Sequence, residues 1–281
     1  MSSVSPLSPT SLVILSIGST QLGSALAKSL FATLSPMGMV FLRVGFAAVV
    51  LLILWRKDLV ENIGSNYRIL SLFGLSLALM NLSFYMAVER IPLGIAVTLE
   101  FIGPLGVAIV NSRQLLDLLW VVLAAIGIIL LAPVGELTLD LVGVTLALLA
   151  GSLWAAYIIL SAKVGRVFPG GRGLALAMAI AAIILFPIGM FAGGSALFKP
   201  NVLLMGFGVA MLSSAVPYSL ELEALRSLPV QVFGVLLSLE PVAAALMGFI
   251  VLGETLQLRA IVAILLVSVA AAGASVSTTS D

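Results

Sequence analysis

Three glutamates, Glu100, Glu221 and Glu240, lie inside apolar runs long enough to sit at membrane depth. An ionised, unpaired carboxylate in hydrocarbon costs several kcal/mol, so side chains of this kind pair with a cation or carry a proton. Glu100 stands four residues before Pro104. Proline has no N–H, so the Glu100 carbonyl loses its helical partner and a backbone acceptor is left beside the carboxylate. That combination suits an ammonium group or a coupling proton. The plainer alternative is a kinked helix whose glutamate pairs with a neighbouring helix. Glu240 directly precedes Pro241, and bracing of helix ends is as open to it as a chemical role. Glu221 shares a helical face with Ser214 and Tyr218, and Pro217 interrupts the same stretch.

Further polar stripes recur at helical spacing. Gln21, Ser24 and Lys28 form one, and Trp154, Tyr157 and Ser161 repeat its spacing of three and four. Asn81 and Tyr85 lie four apart and suit a hydroxylated ligand, or equally the hydrogen bonds by which membrane helices adhere. Lys28 is placed to receive a carboxylate or to pair with a buried glutamate, with snorkelling to the interface as the alternative. For Arg43, inside its own apolar run, a structural ion pair is the favoured expectation and ligand recognition the second. Glu223 points away from the Glu221 face. The chain has no histidine and no cysteine, so imidazole relays, thiolate metal sites and disulfides are excluded. No phosphate-binding loop occurs, Gly170-Gly171 make no nucleotide fingerprint, and no cofactor is expected. A net charge of +1 without a basic run gives no reason to expect nucleic acid.

The elements that must position these residues are membrane helices. Hydrophobic residues make up 62% of the 281-residue chain and charged ones 9%, against about 25% charged in soluble domains. Runs of about 20 apolar residues predict ten spans. They fall near 11–32, 36–55, 68–88, 93–111, 115–133, 141–162, 173–193, 201–221, 230–250 and 257–276. The first run lacks a basic leader and carries Gln21 and Lys28, so it reads as a mature helix rather than a signal peptide. Residues 1–10 and 277–281 read as tails.

The ten spans fall into two copies. Pro92 and Pro104 repeat as Pro229 and Pro241 at an offset of 137, and the same offset carries Asp117 onto Glu254. The copies are 11–135 and 136–276. Asp117 and Glu254, at helix starts, complement the helix dipole and read as architecture. Glu100 breaks the repeat, since its counterpart is Leu237, and Glu240 falls opposite Gly103. One set of loops carries Arg56, Lys57, Arg68, Arg113, Lys163, Arg166, Arg172 and Arg226; the other side has Lys28, Arg90, Lys199 and Arg259. The richer set belongs in the cytoplasm, which puts both termini there too. Five helices per copy then make the repeat inverted, an arrangement that suits alternating access.

The stretch NLSFYMAVERIPLGIAVTLEFIGPLGVAIV from Asn81 resembles the EamA-type branch of the drug/metabolite transporter superfamily. GSALAKSLF from Gly23, SSAVPYSLELEAL from Ser213, and the LSLEP and LGET segments around Glu240 and Glu254 extend the likeness over nearly the whole chain. LEP and LGE are common across the superfamily. The IPLGIAV-LEF-GPL and PYSLE segments are narrower and are the ones that indicate a substrate. The resemblance implies an all-α, ten-helix exporter of the bacterial inner membrane, with a cavity between two inverted five-helix repeats. It also implies small amino acids such as L-threonine and L-homoserine as substrates; the buried carboxylates Glu100 and Glu240 add protons as an expected partner beside the lipid bilayer. A zwitterion calls for groups that take an ammonium, a carboxylate and a short polar side chain. Export of other metabolites or toxic amphiphiles on the same fold is the alternative. An enzyme would need a nucleophile or metal cluster for which this composition offers little.

Overall fold

The structure, a computed structural model, describes residues 7–31, 33–57, 59, 63–91, 93–101, 103–104, 106–107, 115–131 and 140–252, with isolated residues between 258 and 270. The described chain is helical throughout. Helix α1 spans Pro9–Leu30, α2 Pro36–Leu54, α3 Ile63–Arg90, α4 Leu93–Glu100 and α5 Leu115–Leu131. Helix α6 spans Leu141–Val167 and α7 Arg172–Gly193, followed by a 3₁₀ turn over Gly194–Phe198. Helix α8 (Pro200–Ala210) runs through a π turn (Met211–Ala215) into α9 (Val216–Ala224), followed by α10 (Val230–Leu237) and α11 (Glu240–Leu252). Among the described residues seven helices are long and apolar enough to cross a membrane. Phe191 is 95% exposed, with Ile183, Leu204 and Ile250 also on the outside. A surface like that is tolerable only against lipid. The protein is an all-α, multi-pass membrane protein.

Ser-Pro pairs start the first two helices. Ser8 Oγ accepts from Ser11 N at 3.2 Å and Ser35 Oγ from Gly38 N at 3.2 Å, with Pro9 and Pro36 in the first turn. Each serine satisfies an orphan N–H, and each proline sits where its missing donor costs nothing. Asp140 caps α6 in the same way, accepting from Val142 N at 2.8 Å. It also pairs with Arg90 at the end of α3, at 3.0 Å. The Arg90 hydrogen bond, followed by the one from Val142, holds the Asp140 carboxyl below its ordinary value.

Among the described residues the predicted spans fall on helices, with four main differences, the first being that the expected 93–111 span ends as helix α4 at Glu100. The expected 68–88 span is a longer helix, α3. The expected 201–221 span is not continuous α-helix, because the π turn over Met211–Ala215 inserts into it. The expected 230–250 span breaks at Ser238–Leu239, where 3₁₀-type bonds (Ser238 N to Val235 O, Leu239 N to Leu236 O, both 3.0 Å) end α10. Pro241 is the physical reason, since it has no N–H to return to the carbonyl of Leu237. Pro92, Glu254 and most of 257–276 lie outside the described residues, as does the side chain of Asp117.

The helices do not pack in sequence order. Helix α1 lies mainly against α8, the π turn, α9 and α11; α3 lies against α6 and α7; α2 lies against α7, α8 and the π turn; α4 lies against α6. Glycines permit the tightest crossings. A Cβ on Gly103 would run into the Gly151 carbonyl, and one on Gly151 into the Glu100 carbonyl. A Cβ on Gly23 would stand 2.7 Å from Ser213 Cβ in the π turn. Lipid tails are as apolar as side chains, so close backbone approach of this kind is a main source of helix adhesion.

Two outcomes are expected. Gly151→Leu should destabilise the protein at the upper end of the roughly 1–3 kcal/mol typical of overpacking, read as a fall in melting temperature in detergent. Asp140→Asn should lower the melting temperature at neutral pH. A carboxyl whose folded pKa is depressed contributes stability above its unfolded value, here 3.8, and loses it as the pH falls through the folded one. The gap between variant and wild type should therefore close in acid.

Candidate functional site

The π turn sets up the centre of the protein. Val216 N bonds to Met211 O, five residues back, so Leu212 O loses its ordinary donor. Pro217 has no N–H to give Ser213 O. In a membrane interior both carbonyls must find partners within the protein. Ser19 Oγ on α1 donates to Leu212 O at 2.5 Å, and Arg43 Nη2 on α2 donates to Ser213 O at 2.6 Å. One local irregularity thus ties together three helices that are distant in sequence.

Arg43 makes three further hydrogen bonds. Its Nε donates to Ser214 Oγ at 2.7 Å, Nη1 to the Tyr85 hydroxyl at 3.2 Å, and Nη2 to the Tyr218 hydroxyl at 3.1 Å. The guanidinium also lies 5.6 Å from the Tyr85 ring centroid and 6.0 Å from that of Tyr218, within cation–π range. Among the described residues the ion pair favoured for Arg43 from the sequence is not formed. Among the described residues its acceptors are all neutral, because the opened carbonyl and the hydroxyls of α3 and α9 stand closer than any carboxylate.

The three buried glutamates are held differently. Glu221 accepts from Ser16 Oγ at 2.8 Å and from the Tyr157 hydroxyl at 2.7 Å, linking α9 to α1 and α6. Gln21 Nε2 donates to Glu240 at the start of α11. Glu100 ends α4 where the helix breaks ahead of Pro104, and among the described residues no side chain donates to its carboxyl. Glu223 is half exposed and pairs with Arg226 at 2.6 Å.

These groups surround a single cavity. Its wall takes Thr20, Gln21 and Ser24 from α1, Arg43 from α2, and Met80, Asn81 and Phe84 from α3. Val97 and Glu100 come from α4, Trp154 from α6, Tyr218 and Glu221 from α9, and Glu240 from α11. About 70 Å³ is open to the centres of water-sized molecules, within about 650 Å³ of atom-free space that includes the cavity's open side. That scale suits a small polar solute. Trp154 is fixed edge-on to Phe101 at 5.5 Å, and Asn81 Nδ2 donates to Leu77 O at 2.8 Å.

Other residues nominated from the sequence stand outside that wall. Lys28 and Tyr85 line a smaller recess beside it, and Ser24 and Phe84 are common to both. Tyr157 is fully buried behind the wall, stacked on Phe73 at 5.6 Å, and reaches the site through Glu221. Ser214 acts through Arg43. Pro104, Pro217 and Pro241 all mark breaks or irregular turns next to the cavity. The sequence ranking left Arg43, Ser16, Ser19 and Thr20 off the site. A usable signal existed for Arg43, because Pro217 opens Ser213 O by the same arithmetic that links Pro104 to Glu100.

The EamA-like transporter family model matches residues 141–276. The chain is 42% identical over 265 residues to the threonine/homoserine exporter RhtA of Salmonella typhimurium (strain LT2), covering 92% of this chain and 90% of that one. RhtA of Escherichia coli (strain K12) matches with the same identity and coverage. A solved crystal structure of a protein given no functional name shares the fold, with a TM-score of 0.77, 16% identity, and 95% and 96% of the two chains covered. A membrane-embedded polar cavity, walled by helices from both ends of the sequence, is thus found in a chain that belongs to the EamA-like transporter family.

Proposed function

We propose that this protein exports small amino acids, threonine and homoserine among them, across the bacterial inner membrane by alternating access coupled to inward proton flow. The observation that carries the reading is the cavity itself: three carboxyl side chains and one guanidinium enclosed at membrane depth, in a chain 42% identical to threonine/homoserine exporters. A zwitterion needs both signs of charge within a few ångströms, whereas an apolar cation would favour an aromatic, apolar wall. Glu100 is the group for the substrate ammonium and the coupling proton, because Glu221 and Glu240 are already engaged by Ser16, Tyr157 and Gln21.

Alternating access draws support from the packing. The first helix of each half lies on the third element of the other: α1 on α8–α9, and α6 on α3. The second helices, α2 and α7, lie on each other, and the broken fourth elements lie on the opposite half's first helix, α4 on α6 and α10–α11 on α1. Exchange of the halves maps this pattern onto itself, as expected for ten spans in two inverted five-helix repeats, 11–135 and 136–276. The loop charges orient the assembly with both termini in the cytoplasm.

In vesicles carrying the purified protein, radiolabelled L-threonine should move faster when a proton gradient opposes it. In Glu100→Gln the gradient should have no effect, and transport should fall at least about a hundredfold, since loss of one partner of a buried ion pair costs about 3–5 kcal/mol. Unchanged rate and pH dependence in the variant would remove Glu100 from the mechanism. Movement of cationic dyes in place of threonine would favour an exporter of amphiphiles.

A further inference from the structure

We infer that Arg43 and Tyr85 form a two-donor fork for the carboxylate of the substrate, at the junction between the main cavity and the recess beside it. The inference rests on the amino-acid reading above and extends it to residues that the sequence ranking had not joined. A guanidinium has five N–H donors. Among the described residues four are used, on Ser214 Oγ, Ser213 O and the hydroxyls of Tyr218 and Tyr85. The fifth is the second N–H of Nη1, the nitrogen that faces Tyr85.

Tyr85 supplies the other donor. Its oxygen accepts from Nη1 at 3.2 Å, and among the described residues no acceptor takes its own proton. Arg43 lines the cavity and Tyr85 the recess, and Ser24 and Phe84 belong to both walls. An oxygen pair docked there would meet one N–H and one O–H from atoms 3.2 Å apart, two donors within reach of one carboxylate.

Charge points the same way. Arg43 is 5% exposed, and every acceptor it has among the described residues is neutral. Neutral acceptors satisfy its hydrogen bonds but do not cancel its charge, which is expensive to keep at membrane depth. Of the nearby carboxyls, Glu221 and Glu240 are held by other donors. An incoming carboxylate would supply the missing anion, while Glu100 across the cavity takes the ammonium. The four internal hydrogen bonds hold the guanidinium in place beforehand, so little ordering is left to occur on binding.

The test compares acids with their amides, which keep the ammonium and side chain but lose the anion. In wild-type vesicles L-threoninamide should inhibit transport of labelled threonine at least about tenfold more weakly than unlabelled L-threonine does. Tyr85→Phe preserves the ring and the fold. It should raise the KM for threonine by about 10- to 100-fold, the cost of one hydrogen bond to a charged group, and leave inhibition by threoninamide unchanged. If acid and amide shift together in Tyr85→Phe, or bind alike in the wild type, the fork is overturned.

Thermal stabilisation of the purified protein by the same acid–amide pairs separates this inference from the exporter reading. Stabilisation of wild type by L-threonine but not its amide, lost in Tyr85→Phe, would support the fork even if threonine is not transported. No selective stabilisation by the acid would overturn it.

Discussion

The carbonyl of Ser213 has lost its ordinary helical donor, because the residue four places on is Pro217. Arg43 answers it from α2. That single bond fixes where the guanidinium sits, and so where the one cation of the cavity wall stands among the described residues. The neighbouring carbonyl, of Leu212, is answered by Ser19 of α1. Gly23 lets α1 come close enough for that bond to form. The backbone irregularity and the polar site are therefore one construction. At the π turn each opened carbonyl recruits a side chain from another helix.

The same logic operates in the other half with different partners. At the break after Glu100 the neighbour is backbone rather than a cation. Gly151 of α6 lies directly against the Glu100 carbonyl, and Gly103 against the carbonyl of Gly151. One interruption is thus packed by glycines and the other is held by an arginine. The two interruptions are not repeat partners: the first lies in the fourth element of its half, the second, at Pro217, in the third element of the other. Between them they bring Glu100 and Arg43 to the wall of one cavity.

Hydropathy made the spans legible, since about 20 consecutive apolar residues have few other uses. Helical spacing made the stripes legible as well. Gln21, Ser24, Asn81, Trp154, Tyr218 and the three glutamates were marked out by polarity within apolar runs, and these residues line one cavity. The partners of Arg43 were not legible. Its hydrogen bonds reach residues 42 to 175 positions away, and no local periodicity encodes such pairings. The π turn was equally hidden, because Pro217 signals an interruption without saying which way the backbone accommodates it.

By itself, then, the chain determined its solvent, its helices, their breaks and which side chains were too polar to face lipid. Those properties follow from composition and from spacing within single helices. The tertiary structure decided that Lys28 belongs to a neighbouring recess, that Tyr157 acts only through Glu221, and that Arg43 rather than Lys28 brings positive charge to the cavity. These outcomes depend on which helix faces meet. In a membrane that is governed by close approach at glycines and by carbonyls left open at prolines, so it emerges only when distant segments are packed together.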